Sequence, residues 1–336
     1  MTTKMLTADS AGINEAAKLL KAGEVVAIPT ETVYGLAANA LDVDAVSKIF
    51  IAKGRPQDNP LIVHISDVGM LDELCTDIPD IAYKVAEHFW PGPLTMVLKK
   101  KSIIPSVTSG GLDTVGIRMP ADITAREIIS KAGIPLAAPS ANLSGSPSPT
   151  SANRVLADMD GRIPAIVDGG ESGVGVESTV ISFEGDTIRI LRPGFVCKED
   201  LLDIAENVVI DEGVLKMLDA DAVVRSPGMK YKHYSPSADV FIVDSDEKAF
   251  ENYINNIDEE NVCAIIFGNE NISTDKPIIE MGTDSVDMAH NLFEILRKID
   301  DKKFKKAYFR CPSKDGVGLA VYNRLLRAAA FRLIRL

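Results

Sequence analysis

Apolar residues recur at Ile13, Ala16, Ala17 and Leu20, the spacing of one helical face, with Ser10 placed to cap the helix and Gly23 to stop it. Glu24–Ile28 then reads as a short buried strand closed by Pro29. A second helix starts near Asp42 or Asp44 and sets Val46, Ile49 and Phe50 on one face, with Lys53 one turn further along and Gly54 and Pro56 behind it. Lys53 and Arg55 thus fall at a helix-to-loop exit, where side chains are expected to make contacts and not to pack. Strands follow at 61–65, 94–98, 114–119, 135–138 and 163–167, helices at 81–89 and 122–132, and a hairpin at 178–191 across Glu184-Gly-Asp186. Such a mixture predicts a twisted mixed α/β sheet covered by helices. Two small-residue loops interrupt it, Ser140–Thr150 and Gly169–Val176.

Periodicity fades between about 208 and 236 and restarts at Ala238, with strands at 239–243, 262–267, 277–281 and 307–310 and helices at 246–256, 284–299 and 318–331. That alternation predicts a smaller doubly wound, Rossmann-like domain. The expected division is 1–208, a linker at 209–237, and 238–336. Gly316-Val-Gly318 resembles the start of a dinucleotide fingerprint, but the third glycine and the acidic partner strand are missing.

Composition narrows the classes. A net charge of −12 argues against a general nucleic-acid binder, although ten Lys/Arg stand against one acid from Lys302 to Leu336. A solvated helix face or a docking surface for RNA or a partner would each explain that segment. No apolar run reaches membrane-spanning length, and the first residues lack a secretory layout, so a cytoplasmic protein without membrane contact is expected. Cys75, Cys197, Cys263 and Cys311 form no metal or disulfide pattern.

The chemistry lies in the first domain. Lys53, Arg55, Arg118 and Arg192 sit at element ends, and the two small-residue loops offer backbone N–H and hydroxyl donors. Together these suit a polyanion such as a nucleoside triphosphate, although no Walker-type loop is present. Each has a plainer reading. Lys53 and Arg55 could serve a helix C-terminus, His64 could be a satisfied strand histidine, Thr30-Glu-Thr32 a strand cap, and the glycine-rich loop a turn. Arg118 is harder to dismiss, because a guanidinium in an apolar strand needs a partner. Ser140 and Ser144 have neither a nucleophile elbow nor triad partners.

Seven motifs occur in order: Pro29-Thr-Glu-Thr-Val-Tyr-Gly-Leu36, Lys53-Gly-Arg-Pro-Gln-Asp-Asn-Pro-Leu61, Trp90-Pro-Gly-Pro-Leu-Thr95, Arg118-Met-Pro120, Ala138-Pro-Ser-Ala-Asn142, Glu177-Ser-Thr179 and Arg192-Pro-Gly194. Together, over about residues 10 to 205, they resemble the YrdC-type L-threonylcarbamoyladenylate synthases. Pro227-Gly-Met-Lys-Tyr-Lys-His-Tyr234 resembles the linker of that family's long, two-domain form.

The resemblance implies a YrdC-like sheet with a central cavity and synthesis of threonylcarbamoyl-AMP from L-threonine, bicarbonate and ATP, with Mg2+ accompanying ATP. The product would go to a threonylcarbamoyl transferase complex that modifies ANN-decoding tRNAs, and a weak tRNA contact is left open. Carried over motif by motif, threonine would contact Thr32, His64, Arg118, Ala138 and Ser178. ATP would contact Arg55, Asn59, Thr114, Ser140, Ser148, Arg192 and, from the linker, Tyr231. Lys53 and Arg55 would serve catalysis by charge neutralisation, and Ser140 with Asn142 complete the signature. The linker, with Lys230, Tyr231, Lys232 and His233, is expected to close as a lid over an adenylate that water destroys. The alternative is a non-catalytic, RNA-binding or translation-associated member of the same fold.

Overall fold

The computed structural model describes residues 2–216 and 234–336. The chain divides into two compact units, Met1–Ser144 with Ser148–Lys230, and Gly145–Pro147 with Tyr231–Leu336. Most of the expected linker, including Tyr231 and its neighbours Lys230, Lys232 and His233, lies outside the described residues.

The first unit is built on eleven strands: β1 (Lys4–Thr7), β2 (Val26–Ile28), β3 (Gly35–Asn39), β4 (Ile62–His64), β5 (Leu94–Lys99), β6 (Thr114–Arg118), β7 (Leu136–Ala137), β8 (Ala165–Asp168), β9 (Thr179–Glu184), β10 (Thr187–Arg192) and β11 (Asn207–Ile210). They lie in the order β1-β8-β2-β3-β7-β4-β6-β5-β9-β10-β11, with parallel and antiparallel neighbours mixed. The strands reproduce the pattern read from the sequence, except that β1, β3 and β11 were not anticipated. β3 is Gly-Leu-Ala-Ala-Asn, with no β-branched or aromatic residue to announce a strand.

Helices cover the sheet unevenly. On one face a large core joins Ile49 and Phe50 of the helix Val43–Lys53 to Val63, Met96, Ile117 and Ile181. On the other, helices Ser10–Lys21 and Ile123–Ala132 bring Ile13, Leu20, Ile128 and Ile129 onto Ile28, Leu136 and Val167. Burial of such side chains is worth roughly 1.5–3 kcal/mol each, which fixes these helices in place. The first helix is capped by Asp9, whose carboxylate accepts from Ala11 and Gly12, and not by Ser10 as expected. The far part of this second face, across β4, β6, β5, β9 and β10, carries a separate small apolar strip of Ile62, Val180 and Leu191, with Val97 beside it. This stretch of the face, from β4 to β10, forms the wall of the candidate site.

Two features set its edges. The register pairs His64 of β4 with Arg118 of β6, so both side chains leave the sheet on the same face as Ile62. At the β9–β10 end the pairing shifts between Ile190 and Arg192, and Gly194 then passes tightly over β9. A Cβ at Gly194 would lie 2.3 Å from Thr179 N and 2.7 Å from Ser178 C.

The second unit holds β12 (Asp239–Asp244), β13 (Val262–Ile266), β14 (Ile278–Glu280), β15 (Lys306–Arg310) and β16 (Leu333–Arg335), all parallel, in the order β14-β13-β15-β12-β16. Helix Glu247–Asn255 packs Phe250 and Ile254 toward Val243, Ala264, Ile266 and Tyr308. The alternate residues Ile242, Cys263, Ile265 and Phe309 are equally buried, so both faces are covered, as in a doubly wound domain. Gly318 is needed because its Cβ would meet Ser313 at 2.7 Å, a packing reason for the Gly-x-Gly. Part of the basic segment is paired or buried. Lys306, Arg310, Lys314 and Arg332 pair with Glu259, Glu270, Asp244 and Asp239, and Arg324 and Arg327 are buried.

The close passage at Gly194 yields the first prediction. Gly194→Ala should cost about 1–3 kcal/mol by overpacking. The open position Gly173→Ala should stay within about 0.5 kcal/mol of the parent. Urea denaturation midpoints compare the two.

Candidate active site

Arg118 is 4% exposed and organises one end of the wall. Its Nη2 lies 2.7 Å from Glu31 Oε1, Nη1 donates to Thr32 Oγ1 at 2.9 Å, and Nε donates to the Gly92 carbonyl at 3.3 Å. Thr30 donates its hydroxyl to Val33 O at 2.6 Å, so Thr32, 2.8 Å away, must donate to Thr30. Arg118, Thr32 and Thr30 thus form a chain of one fixed direction. The partner that the guanidinium needed proves to be Glu31, which the sequence reading had treated as part of a strand cap.

The glycine-rich loop braces this segment. Val174 N donates to Glu31 O at 2.7 Å and Gly175 N to Thr32 O at 3.1 Å, while Ser172 N binds Thr150 O. Those amides are committed to backbone carbonyls, whereas the sequence had suggested them as donors for an anion. Tyr34, pushed up to about 12 by burial, ties the loop's other end through Gly169 and Gly170.

His64 is buried beside Arg118, and its Nδ1 faces the Ile62 carbonyl at 3.3 Å. Burial first, and the Arg118 charge second, push its pKa down to about 3, against the opposing effects of Glu31 and the Ile62 and Leu136 backbone. The ring is therefore neutral at physiological pH. Ala138 sits alongside, its N–H on Ile62 O at 3.0 Å.

Ser178 joins the expected threonine set to the expected nucleotide set. Its hydroxyl lies 2.8 Å from Thr95 Oγ1 and accepts from Arg192 Nη2 at 3.1 Å, and its carbonyl accepts from Arg192 Nε at 3.1 Å. Ser148 donates to Glu177 Oε1 at 2.6 Å, both groups buried. Thr114 stands at the start of β6, where a cleft of about 650 Å³ opens between Val97, Lys99, Ser182 and Leu191. This cleft lies at the Thr114 end of the wall and not at the Arg118 end.

Lys53 departs most from expectation. It is 2% exposed and points inward, its Nζ donating to Ser140 O and Asn142 O and lying 3.5 Å from Asn142 Oδ1. Ser140 Oγ also donates to Asn142 Oδ1, and Ser144 N returns to Lys53 O. Burial and then the Arg55 charge push the lysine well below its ordinary pKa, with Asp158 and Glu177 opposing. Lys53 thus fixes the Ser140–Asn142 turn. Arg55, half buried, donates to Pro60 O at 3.4 Å, and Asn59 is buried with Oδ1 lacking a hydrogen-bond partner. Thr95, Gly92 and Glu31 are the additional groups at the wall. All three fall inside quoted motifs, yet each acts through one atom whose direction a motif does not encode.

Comparison with known proteins places this geometry. Residues 18–194 match the Sua5/YciO/YrdC family model, described as telomere recombination, and residues 196–330 match the model described as threonylcarbamoyl-AMP synthase, C-terminal domain. A threonylcarbamoyl-AMP synthase of Pyrococcus abyssi is 44% identical over 96% of this chain and 95% of that protein. One of Bacillus subtilis is 42% identical over 99% of this chain and 97% of its own. The chain belongs to the threonylcarbamoyl-AMP synthase family. A solved P. abyssi Sua5 complexed with L-threonine matches with a TM-score of 0.93 and 42% identity, covering 99% of this chain and 100% of that one. Family membership therefore extends across both units.

Two predictions follow from the wall. Lys53→Met should cost about 1.5–3 kcal/mol, by leaving carbonyls without their donor. It should also speed amide exchange at Ser144, and an unchanged exchange rate would show that Lys53 does not hold the turn. His64 should keep constant ring 15N shifts from pH 5 to 9. Because its folded pKa lies below the ordinary 6.5, its contribution to stability is full above 6.5 and declines as pH falls toward 3, by up to ~1.4 kcal/mol per unit. A ring titration step near pH 6.5 would contradict this.

Proposed function

We propose that this chain, as an enzyme of its family, forms threonylcarbamoyl-AMP from L-threonine, bicarbonate and ATP, releasing pyrophosphate and water. The observation that supports this most directly is the hydrogen bond from Arg192, expected to meet ATP, to Ser178, expected to meet threonine. In this reading threonine lies against Thr32, His64, Arg118, Ala138 and Ser178. ATP lies against Arg55, Asn59, Thr114, Ser140, Ser148 and Arg192, with Tyr231 contributing from outside the described residues.

The reaction asks little covalent chemistry of the protein. A carbamate oxygen attacks the α-phosphorus and pyrophosphate leaves, so the wall must align two anions and neutralise charge. Arg55 and Arg192 supply that charge, and Lys53 acts through the turn carrying Ser140. Among the described residues no group of three or more His, Cys, Asp or Glu could hold a metal ion. Mg2+ in this scheme arrives on the triphosphate and shields its oxygens. The neutral His64 is suited to hydrogen bonding and not to charge pairing. Transfer of the product to a tRNA-modifying transferase belongs to the same proposal. No described helix is long and apolar enough to cross a membrane.

The test is pyrophosphate release from ATP that requires both threonine and bicarbonate. Valine, which lacks the hydroxyl, should be at least about 100-fold poorer in kcat/KM, since it leaves buried polar partners unmatched. Salt-sensitive tRNA binding without turnover would instead favour the RNA-binding reading.

A further inference from the structure

Glu31 has a capacity that the scheme above leaves unused. Its side chain is 16% exposed; Oε1 is held 2.7 Å from Arg118 Nη2 as an ion pair, and both Oε1 and Oε2 are buried without a hydrogen bond of good geometry, with the Ala121 amide nearby. A buried acceptor left unfilled costs free energy, which a ligand donor would recover. The carboxylate cannot drift away to satisfy itself, because Val174 N holds Glu31 O and Gly175 N holds Thr32 O. Arg118 has five N–H donors and hydrogen-bonds through two of them, to Thr32 and Gly92, while Nη2 faces Glu31 as an ion pair outside hydrogen-bonding geometry. Its remaining N–H groups can serve a second carboxylate. A cation with spare donors beside an anion with a spare acceptor is the complement of an amino-acid zwitterion.

The groups around Glu31 point the same way. Burial alone would raise its pKa, but the Arg118 charge and the nearby Ala121 amide outweigh it, so the carboxyl is held below its ordinary value and stays ionised. His64, facing it from β4, is neutral with Nδ1 on Ile62 O. Asp122, the remaining carboxylate near Glu31, accepts from Ala125 N as a helix cap, with Arg126 beside it. Lys53 and the Tyr34 phenol are bonded to backbone carbonyls.

We infer that Glu31 receives the α-ammonium of the amino-acid substrate and takes the proton that this nitrogen must lose as the carbamate forms. The inference rests on the proposed reaction. In it the threonine nitrogen bonds to the carbon of bicarbonate and the bicarbonate C–OH bond breaks. The departing hydroxide takes one nitrogen proton and leaves as water. A second proton passes to Glu31 Oε2 and then to solvent, and the third stays on the carbamate nitrogen. When the substrate carboxylate comes to share Arg118, it dilutes the cation's hold on Glu31, which makes Glu31 more basic as the proton arrives.

Glu31→Gln keeps the shape and removes the charge. It should lower kcat/KM for threonine about 30–100-fold at pH 7 and recover to within about 3-fold of wild type near pH 9, where the amine loses its proton to water. Glu31→Asp should retain the wild-type pH profile at reduced rate. By calorimetry, wild type should prefer threonine to 2,3-dihydroxybutyrate, its amine-free counterpart, and Glu31→Gln should lose most of that preference. A Glu31→Gln enzyme with a wild-type pH profile, or with the preference intact, overturns the role of Glu31. Wild-type protein that releases no pyrophosphate with threonine and bicarbonate overturns the reaction itself.

Discussion

A guanidinium in the middle of a sheet is tolerable only if the surrounding chain is arranged for it, and much of the first unit can be understood as that arrangement. Arg118 leaves β6 on the same face as His64, its register partner on β4, and is buried there. Its donors reach the Pro29–Leu36 segment on one side and the Trp90–Thr95 turn on the other. Removing a partner from such a group costs far more than the net worth of the pair, which ties the two segments to one geometry. The depressed pKa of His64 is a by-product of the same burial and the same charge.

The glycine-rich loop and Lys53 play comparable parts. Each spends polar groups that could have met a ligand on backbone carbonyls of another segment. The segments so fixed are the ones that carry Thr32 and the Ser140–Asn142 turn. Ordering entropy is thereby charged to folding and not to binding, which is the physical content of preorganisation.

Much of this was legible in the chain. Strands β4, β5 and β6 and the helix Val43–Lys53 follow from apolar spacing and breakers, and Arg118 stood out as a charge in an apolar run. Less legible were features set by tertiary direction. Helical periodicity placed Lys53 on a face but could not say that its long stem would turn Nζ inward to Ser140 and Asn142. Glu31 looked like a strand cap because capping is a local explanation, whereas its partner lies 87 residues away in sequence. In the basic carboxy-terminal segment a count of charges is blind to Glu259, Glu270, Asp244 and Asp239, which pair with four of its ten basic residues. The strand β3 was hidden by its small side chains, whose packing value comes only from neighbours.

Ser178 carries a consequence of a different kind. One hydroxyl oxygen lies 2.8 Å from Thr95 Oγ1 and 3.1 Å from Nη2 of the Arg192 fork. A ligand that draws this hydroxyl toward itself must loosen or tighten the fork, and a ligand that draws the fork must do the same to the hydroxyl. Such communication is symmetrical by thermodynamic necessity, so whatever moves one of these two groups is felt equally by the other.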